Sequence, residues 1–176
     1  MTGLNKGLRK IEVALKWDPS PLGEPPHDLD IVAGTYRAAD PYGEPAYLVH
    51  FDSRSPDGTI NLNRDSRTGQ GFGIDESMTL ELERLSSEYA RVVVGITIQQ
   101  GAGRKTFGDV PNASVRILDG YTELMTSDFT GVSEATSATV AVFTRDDAGE
   151  WGMRSAIRGF DVDPEGFGQL MGKDYS

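Results

Sequence analysis

The 176-residue chain has no cysteine and only two histidines, His27 and His50. Without cysteine there is no disulfide, no thiolate zinc site and no thiol nucleophile. Two histidines are too few for an imidazole-rich zinc site. No Gly-x-Ser-x-Gly elbow is present, so nothing in the spacing suggests a Ser-His-Asp triad. There is no Gly-x-Gly-x-x-Gly between a strand and a helix, which leaves no dinucleotide or P-loop signature. No apolar run is long enough to cross a bilayer and no secretory h-region opens the chain. The expectation is a soluble, cytoplasmic protein with no integral membrane segment. Positive charge is also scarce: 17 Lys and Arg stand against 27 Asp and Glu, a formal net charge of −10. That balance disfavours nucleic acid as a partner and favours cations, though an acidic surface is also simply a soluble one. No repeat, low-complexity segment or linker divides the chain. It reads as one domain over residues 1–176, long enough to bury a sizeable core.

What is present is alternation. Residues 9–16 place Ile11, Val13 and Leu15 against Lys10, Glu12 and Lys16, a half-buried strand. A proline-rich loop follows, and residues 27–37 form the next strand. There Asp28 and Asp30 share one face while Leu29 and Ile31 share the other. Short strands are expected at residues 46–51 and 59–62, and an amphipathic one at Met78, Leu80 and Leu82. Leu85 to Glu88 offers a turn of helix. Residues 91–99 are almost all apolar and β-branched, as in a strand buried on both faces, with Gly95 marking a bulge or a close backbone approach. Strands at 114–118 and 121–125 are joined by a turn at Asp119-Gly120, and 136–145 pairs with 151–160. A short helix is expected at 166–171. Trp17, Phe107 and Trp151 read as packing residues. The sum is an all-β sandwich of two sheets with little helix.

One stretch stands out chemically, residues 63–76. Asp65 opens it, Asp75 and Glu76 close it, and Gly69, Gly71 and Gly73 are spaced by two between them. Alternating glycines let the backbone bend tightly, and such a bend can aim carbonyl and carboxylate oxygens at one point. Ca²⁺ takes oxygen cages of that kind. Asp65 and Glu76 sit at positions 1 and 12 of an EF-hand spacing, but Arg67, Gly69 and Gln70 occupy positions 3, 5 and 6, so the EF-hand is rejected. A solvated Gly- and Asp-rich connection has the same composition. The reading as a metal site rests on convergence. If Asp28, Asp30, Asp52, Asp65, Asp75 and Glu76 meet at one end of the sandwich, their charge calls for a cation.

The order of motifs resembles the tellurium-resistance TerD family of bacterial stress proteins. It runs Trp17-Asp18, Asp28-Leu29-Asp30, Ser55-Pro56-Asp57-Gly58, then Asp65-x-x-Thr68-Gly69-x-Gly71-x-Gly73-x-Asp75-Glu76. Phe107-Gly108-x-Val110-x-Asn112-Ala113-x-x-Arg116 and Gly149-Glu150-Trp151 continue it. The resemblance implies a two-sheet β-sandwich, calcium binding by the acidic loops, and a stress-response role of the tellurite or toxic-agent resistance type, with no enzymatic activity. It implies ligands at Asp28, Asp30, Asp52, Asp65, Asp75 and Glu76 and at the carbonyls of Gly69 and Gly71. Relatives of this kind carry two Asp before the Glu, where this chain has Ile74. They often carry His-Asp where it has Gln99-Gln100. One well-held Ca²⁺ and a weak or absent second one are therefore expected. Other stress-response proteins are the implied partners.

Two other functions fit the same residues. A calcium-dependent binder of carbohydrate or membrane surfaces would use the metal as a bridge. A metal-assisted hydrolase would need a base, and His27 beside Asp28 is the candidate.

Overall fold

The structure is a computed structural model and describes residues 7–64, 74–101 and 103–173. Two five-stranded antiparallel sheets pack face to face. The strands are β1 (Lys10–Lys16), β2 (Leu29–Arg37), β3 (Tyr47–Val49), β4 (Ile60–Arg64), β5 (Glu76–Glu81), β6 (Tyr89–Ile98), β7 (Ser114–Asp119), β8 (Thr122–Ser127), β9 (Ser137–Arg145) and β10 (Trp151–Phe160). One α-helix follows, α1 (Pro164–Leu170). The first sheet has the order β4-β5-β1-β7-β8 and the second β10-β9-β6-β2-β3.

Period-two alternation builds the interior. Ile11, Val13 and Leu15 of β1 meet Leu29, Ile31 and Ala33 of β2 and Val92, Val94 and Ile96 of β6 in one buried cluster. Trp17, Phe107 and Trp151 belong to that cluster, as their packing role requires. β6 lies at the centre of the second sheet and is apolar on both faces because α1 covers the outer one. Phe167 and Met171 of that segment pack on Val32, Val93 and Val142. At Gly95 both sequence expectations hold. The β6–β9 pairing shifts between Val94 and Gly95, and a Cβ there would meet the Phe167 ring.

Several boundaries move. β2 starts at Leu29 rather than residue 27, because His27 and Asp28 belong to the preceding loop. The helical turn expected at Leu85–Glu88 lies earlier, as a 3-10 turn over Leu82–Arg84 that buries Leu82. α1 begins two residues before its expected start. Asp163 caps it by accepting from the Gly166 N–H at 2.7 Å, and Pro164 occupies the first turn, where its missing N–H costs nothing.

Candidate functional site

Of the sequence-selected acids, Asp28, Asp30, Asp75 and Glu76 fall at the end of the sandwich where β1 stops, β2 starts and β5 starts. Glu76 opens β5 in phase with Met78 and Leu80, so its side chain enters the space between the sheets and is fully buried. It crosses to the other sheet: Oε1 accepts the Ile31 N–H of β2 at 2.6 Å. The reason lies in sheet topology. β3 pairs with β2 only over Ala33 to Thr35, so the N–H of Ile31 lies beyond the reach of β3. A buried backbone donor needs an acceptor, and the Glu76 carboxylate supplies one. Asp75 is buried beside it. Its Oδ2 accepts the Trp17 N–H at 2.9 Å, and its own N–H donates to Leu15 O at 3.0 Å. Asp75 thus closes the end of β1 where the pairing with β5 runs out.

Asp30 projects from β2 on the opposite side, toward α1, in phase with Val32. It is 2% exposed, so its carboxylate is withdrawn from solvent. The Gln99 side chain donates to Asp30 Oδ2 at 2.7 Å. Gln99 continues β6 opposite Asp28, and its N–H donates to Asp28 O at 2.8 Å. Register therefore sets its amide diagonally across from Asp30. Asp28 is half-buried. Asp52 is exposed, in the turn after β3, with its N–H donating to His50 Nδ1 at 3.2 Å.

Asp30, His50, Asp52, Gln99 and Glu165 line one cavity of about 320 Å³ between β2, β3 and α1. Asp28 lines a separate one of about 550 Å³ with His27, Lys105 and Asp109. Gln99 borders both. Glu76 thus meets the start of β2 between the sheets and Asp75 caps the end of β1, while Asp30 stands on the other face of β2 with Asp52 on the same cavity, and Asp28 lines another. Asp65, Gly69 and Gly71 lie outside the described residues. Among the described residues alone, no three His, Asp or Glu side chains form a metal cage.

Two residues singled out in the sequence are refined here. His27, the candidate base, is a buried residue whose carbonyl accepts the Trp17 indole N–H at 3.0 Å. Burial, then the charge of Lys105, pushes its imidazole below the ordinary value of 6.5. Gln100, noted only as a departure from the relatives' pattern, clamps the next loop. Its Oε1 accepts from Lys105 N at 2.7 Å, and its Nε2 donates to the carbonyls of Ile98 and Lys105. The Gln99–Asp30 contact escaped sequence reasoning because it depends on register. The alternation of β2 and β6 carried the signal once the pairing was known.

Fold and acids together define a two-sheet antiparallel sandwich with carboxylates buried at one end. The TerD domain profile matches residues 1–170, and the chain belongs to the TerD domain family. The crystal structure of a protein of unknown function, SAV2460, superposes with a TM-score of 0.94 at 60% identity, covering 96% of this chain and 99% of that one. A homologue of the telluride resistance protein TerD from Streptomyces coelicolor A3(2) gives 0.93 at 57% identity, covering 95% and 99%. Among curated relatives, the tellurium resistance protein TerD of Serratia marcescens is 29% identical over 159 residues, 87% of this chain and 82% of that protein. General stress protein 16U of Bacillus subtilis is 29% identical over 157 residues, 86% and 81% respectively. Among the described residues, no helix is long and apolar enough to cross a membrane.

Proposed function

We propose that this chain is a calcium-binding, non-enzymatic stress-response module of the kind named in its relatives, acting in resistance to tellurite or other toxic agents. The observation that carries the reading is the burial of Asp30, Asp75 and Glu76 at one end of the sandwich, with Glu76 spanning the sheets. The donors are hard oxygens, in a chain without cysteine. That chemistry suits Ca²⁺, which takes six to eight such ligands. Asp75 and Glu76 would hold the ion together with Asp65 and the carbonyls of Gly69 and Gly71. Asp30, Asp28 and Asp52 would serve from the β2 and β3 side.

The cation supplies charge neutralisation and a tie between segments far apart in the chain. A single strong site is the expected stoichiometry. The Gln99 amide already donates to Asp30, and Ile74 brings no side-chain oxygen where the family resemblance implies a carboxylate. Bound metal would stiffen this end of the sandwich and present it to other stress-response proteins.

The test is a thermal melt of chelator-treated protein with Ca²⁺ restored and Mg²⁺ as control. A ligand confined to the folded state adds about 2.7 kcal/mol of stability at a hundredfold excess over its Kd. A large upward shift with Ca²⁺ alone is expected. Identical melts with and without Ca²⁺ would remove the metal from the proposal.

A further inference from the structure

α1 lies across the outer face of the second sheet, with the Asp30 cavity on its β3 side. On its β10 side is another cavity, of about 290 Å³, and its chemistry is the reverse. Arg91, Arg154, Arg158 and Lys173 line it, and among the described residues no carboxylate does. In a chain with 27 acidic and 17 basic residues, that is a local inversion of the overall charge. Among the described residues, neither Arg154 nor Lys173 takes part in an ion pair.

The cavity is built by identifiable devices. Arg91 sits in β6 with its side chain buried and held in place. Nη1 donates to Pro41 O at 2.9 Å and to Gly172 O at 2.7 Å. Its guanidinium lies 5.2 Å from the Tyr36 ring centre and 4.5 Å from that of Tyr42. Such contacts fix the plane of the donor fork before any ligand arrives.

Arg154 pairs opposite Val142 and Arg158 opposite Thr139, and the pairing shifts by a residue between Ser155 and Arg158. The neighbouring β6–β9 ladder is irregular at the same level, between Val94 and Gly95. Bulges bend a strand and re-aim its side chains. Here two adjacent irregularities border the hollow, and both β10 arginines follow Val142 and Thr139 onto the outer face. Val93, Val142 and Met171 complete an apolar wall.

We propose that this cavity binds a phosphomonoester, with the phosphate among Arg91, Arg154, Arg158 and Lys173 and the apolar body of the ester against Val142 and Met171. A phosphate dianion presents several acceptor oxygens to guanidinium forks, and bidentate pairing with Arg is the strong form of that contact. A carboxylate monoanion would leave most of the four cations unused. A bare inorganic anion would leave the apolar wall unfilled. A polynucleotide needs an extended basic stripe, whereas these cations ring one concavity. The site is separate from the acidic end, and the inference does not rest on calcium.

The experiment is calorimetric titration of the full chain with phenyl phosphate and with inorganic phosphate at low ionic strength. Saturable one-to-one binding is expected, phenyl phosphate being the tighter. A double variant, Arg154→Gln with Arg158→Gln, should weaken it about tenfold or more, the size of one lost charge-assisted hydrogen bond. The control removes the same charge elsewhere, from two exposed arginines ion-paired with Glu81 and Glu123: Arg84→Gln with Arg116→Gln. It should leave the affinity unchanged. If the β10 double variant fails to fold, Lys173→Gln gives the same reading from the other wall. The inference is overturned by absence of saturation at millimolar ligand, by equal weakening in the control, or by equal affinity for the two probes.

Discussion

Glu76 has a structural task that can be separated from any metal. Its Oε1 is the acceptor for the Ile31 N–H, beyond the reach of β3. Glu76→Ala should cost about 1–3 kcal/mol in chelator, the penalty for stranding a buried donor. Glu76→Gln keeps an oxygen at the same reach and should recover most of that loss while abolishing the response to Ca²⁺. Urea denaturation with and without Ca²⁺ checks both. Asp109 and Asp128 give the pH counterpart. Hydrogen bonds from the Thr106 backbone and hydroxyl pull the Asp109 carboxyl below its ordinary 3.8, and those from Thr130 do the same for Asp128. A carboxyl lowered in the folded state stabilises it above 3.8, and that contribution is lost as pH falls through the lower folded value. Replacing both by Asn should make the acid limb below pH 3.8 shallower and lower the stability at neutral pH by the contribution removed, as read from urea midpoints across pH. The sequence exposed Asp75 and Glu76 as oxygen donors through their glycine-rich surroundings. It hid their backbone partners, because Trp17 and Ile31 lie on strands whose neighbours only the topology defines.

At the scale of elements, β1 and β5 were legible because one face of each is the more deeply buried and the side-chain period is two. β6 and β9 were legible instead as apolar, β-branched runs, since both faces of each are covered. Cap and turn chemistry was harder to read. The 3-10 turn at Leu82–Arg84 replaced the expected one because Leu82 continues the buried phase of β5. The most instructive element pair is β6 with α1. Gly95 was visible as a break in a β-branched run, but its partner was not, since Phe167 is 72 residues away in a different element. A Cβ at Gly95 would meet the Phe167 ring and lie 2.9 Å from the Ala138 carbonyl oxygen. Gly95→Ala should therefore destabilise by about 1–3 kcal/mol, the usual cost of overpacking a filled core. Pairing it with Phe167→Leu should relieve part of the loss, because the ring is one of the two obstacles. A double-mutant cycle in urea reads the coupling, and strict additivity would show that the carbonyl alone sets the cost.

On the scale of the molecule, a net charge of −10 is divided unevenly. Carboxylates gather where β1, β2 and β5 meet, while four cations ring the cavity beside β10. Sequence composition reported only the sum, because residues brought to one cavity by β6, β10 and the end of α1 are far apart along the chain. Two electrostatic contributions to stability then follow, and they differ in form. Self-repulsion of a strongly acidic chain is relieved by any salt, gradually, as the Debye length shortens from about 30 Å at 0.01 M to about 8 Å at 0.15 M. A specific cation site saturates and responds to one ion. The metal-free protein should gain melting temperature smoothly with NaCl. At fixed 0.15 M NaCl, added Ca²⁺ should give a further gain that reaches a plateau, while Mg²⁺ at equal ionic strength gives little. A calcium curve that merely continues the NaCl curve at matched ionic strength would reduce the acidic end to a screened patch of charge. A plateau that disappears in Glu76→Gln but persists in Arg154→Gln would assign the gain to the junction of the two sheets and leave the basic cavity as an independent site.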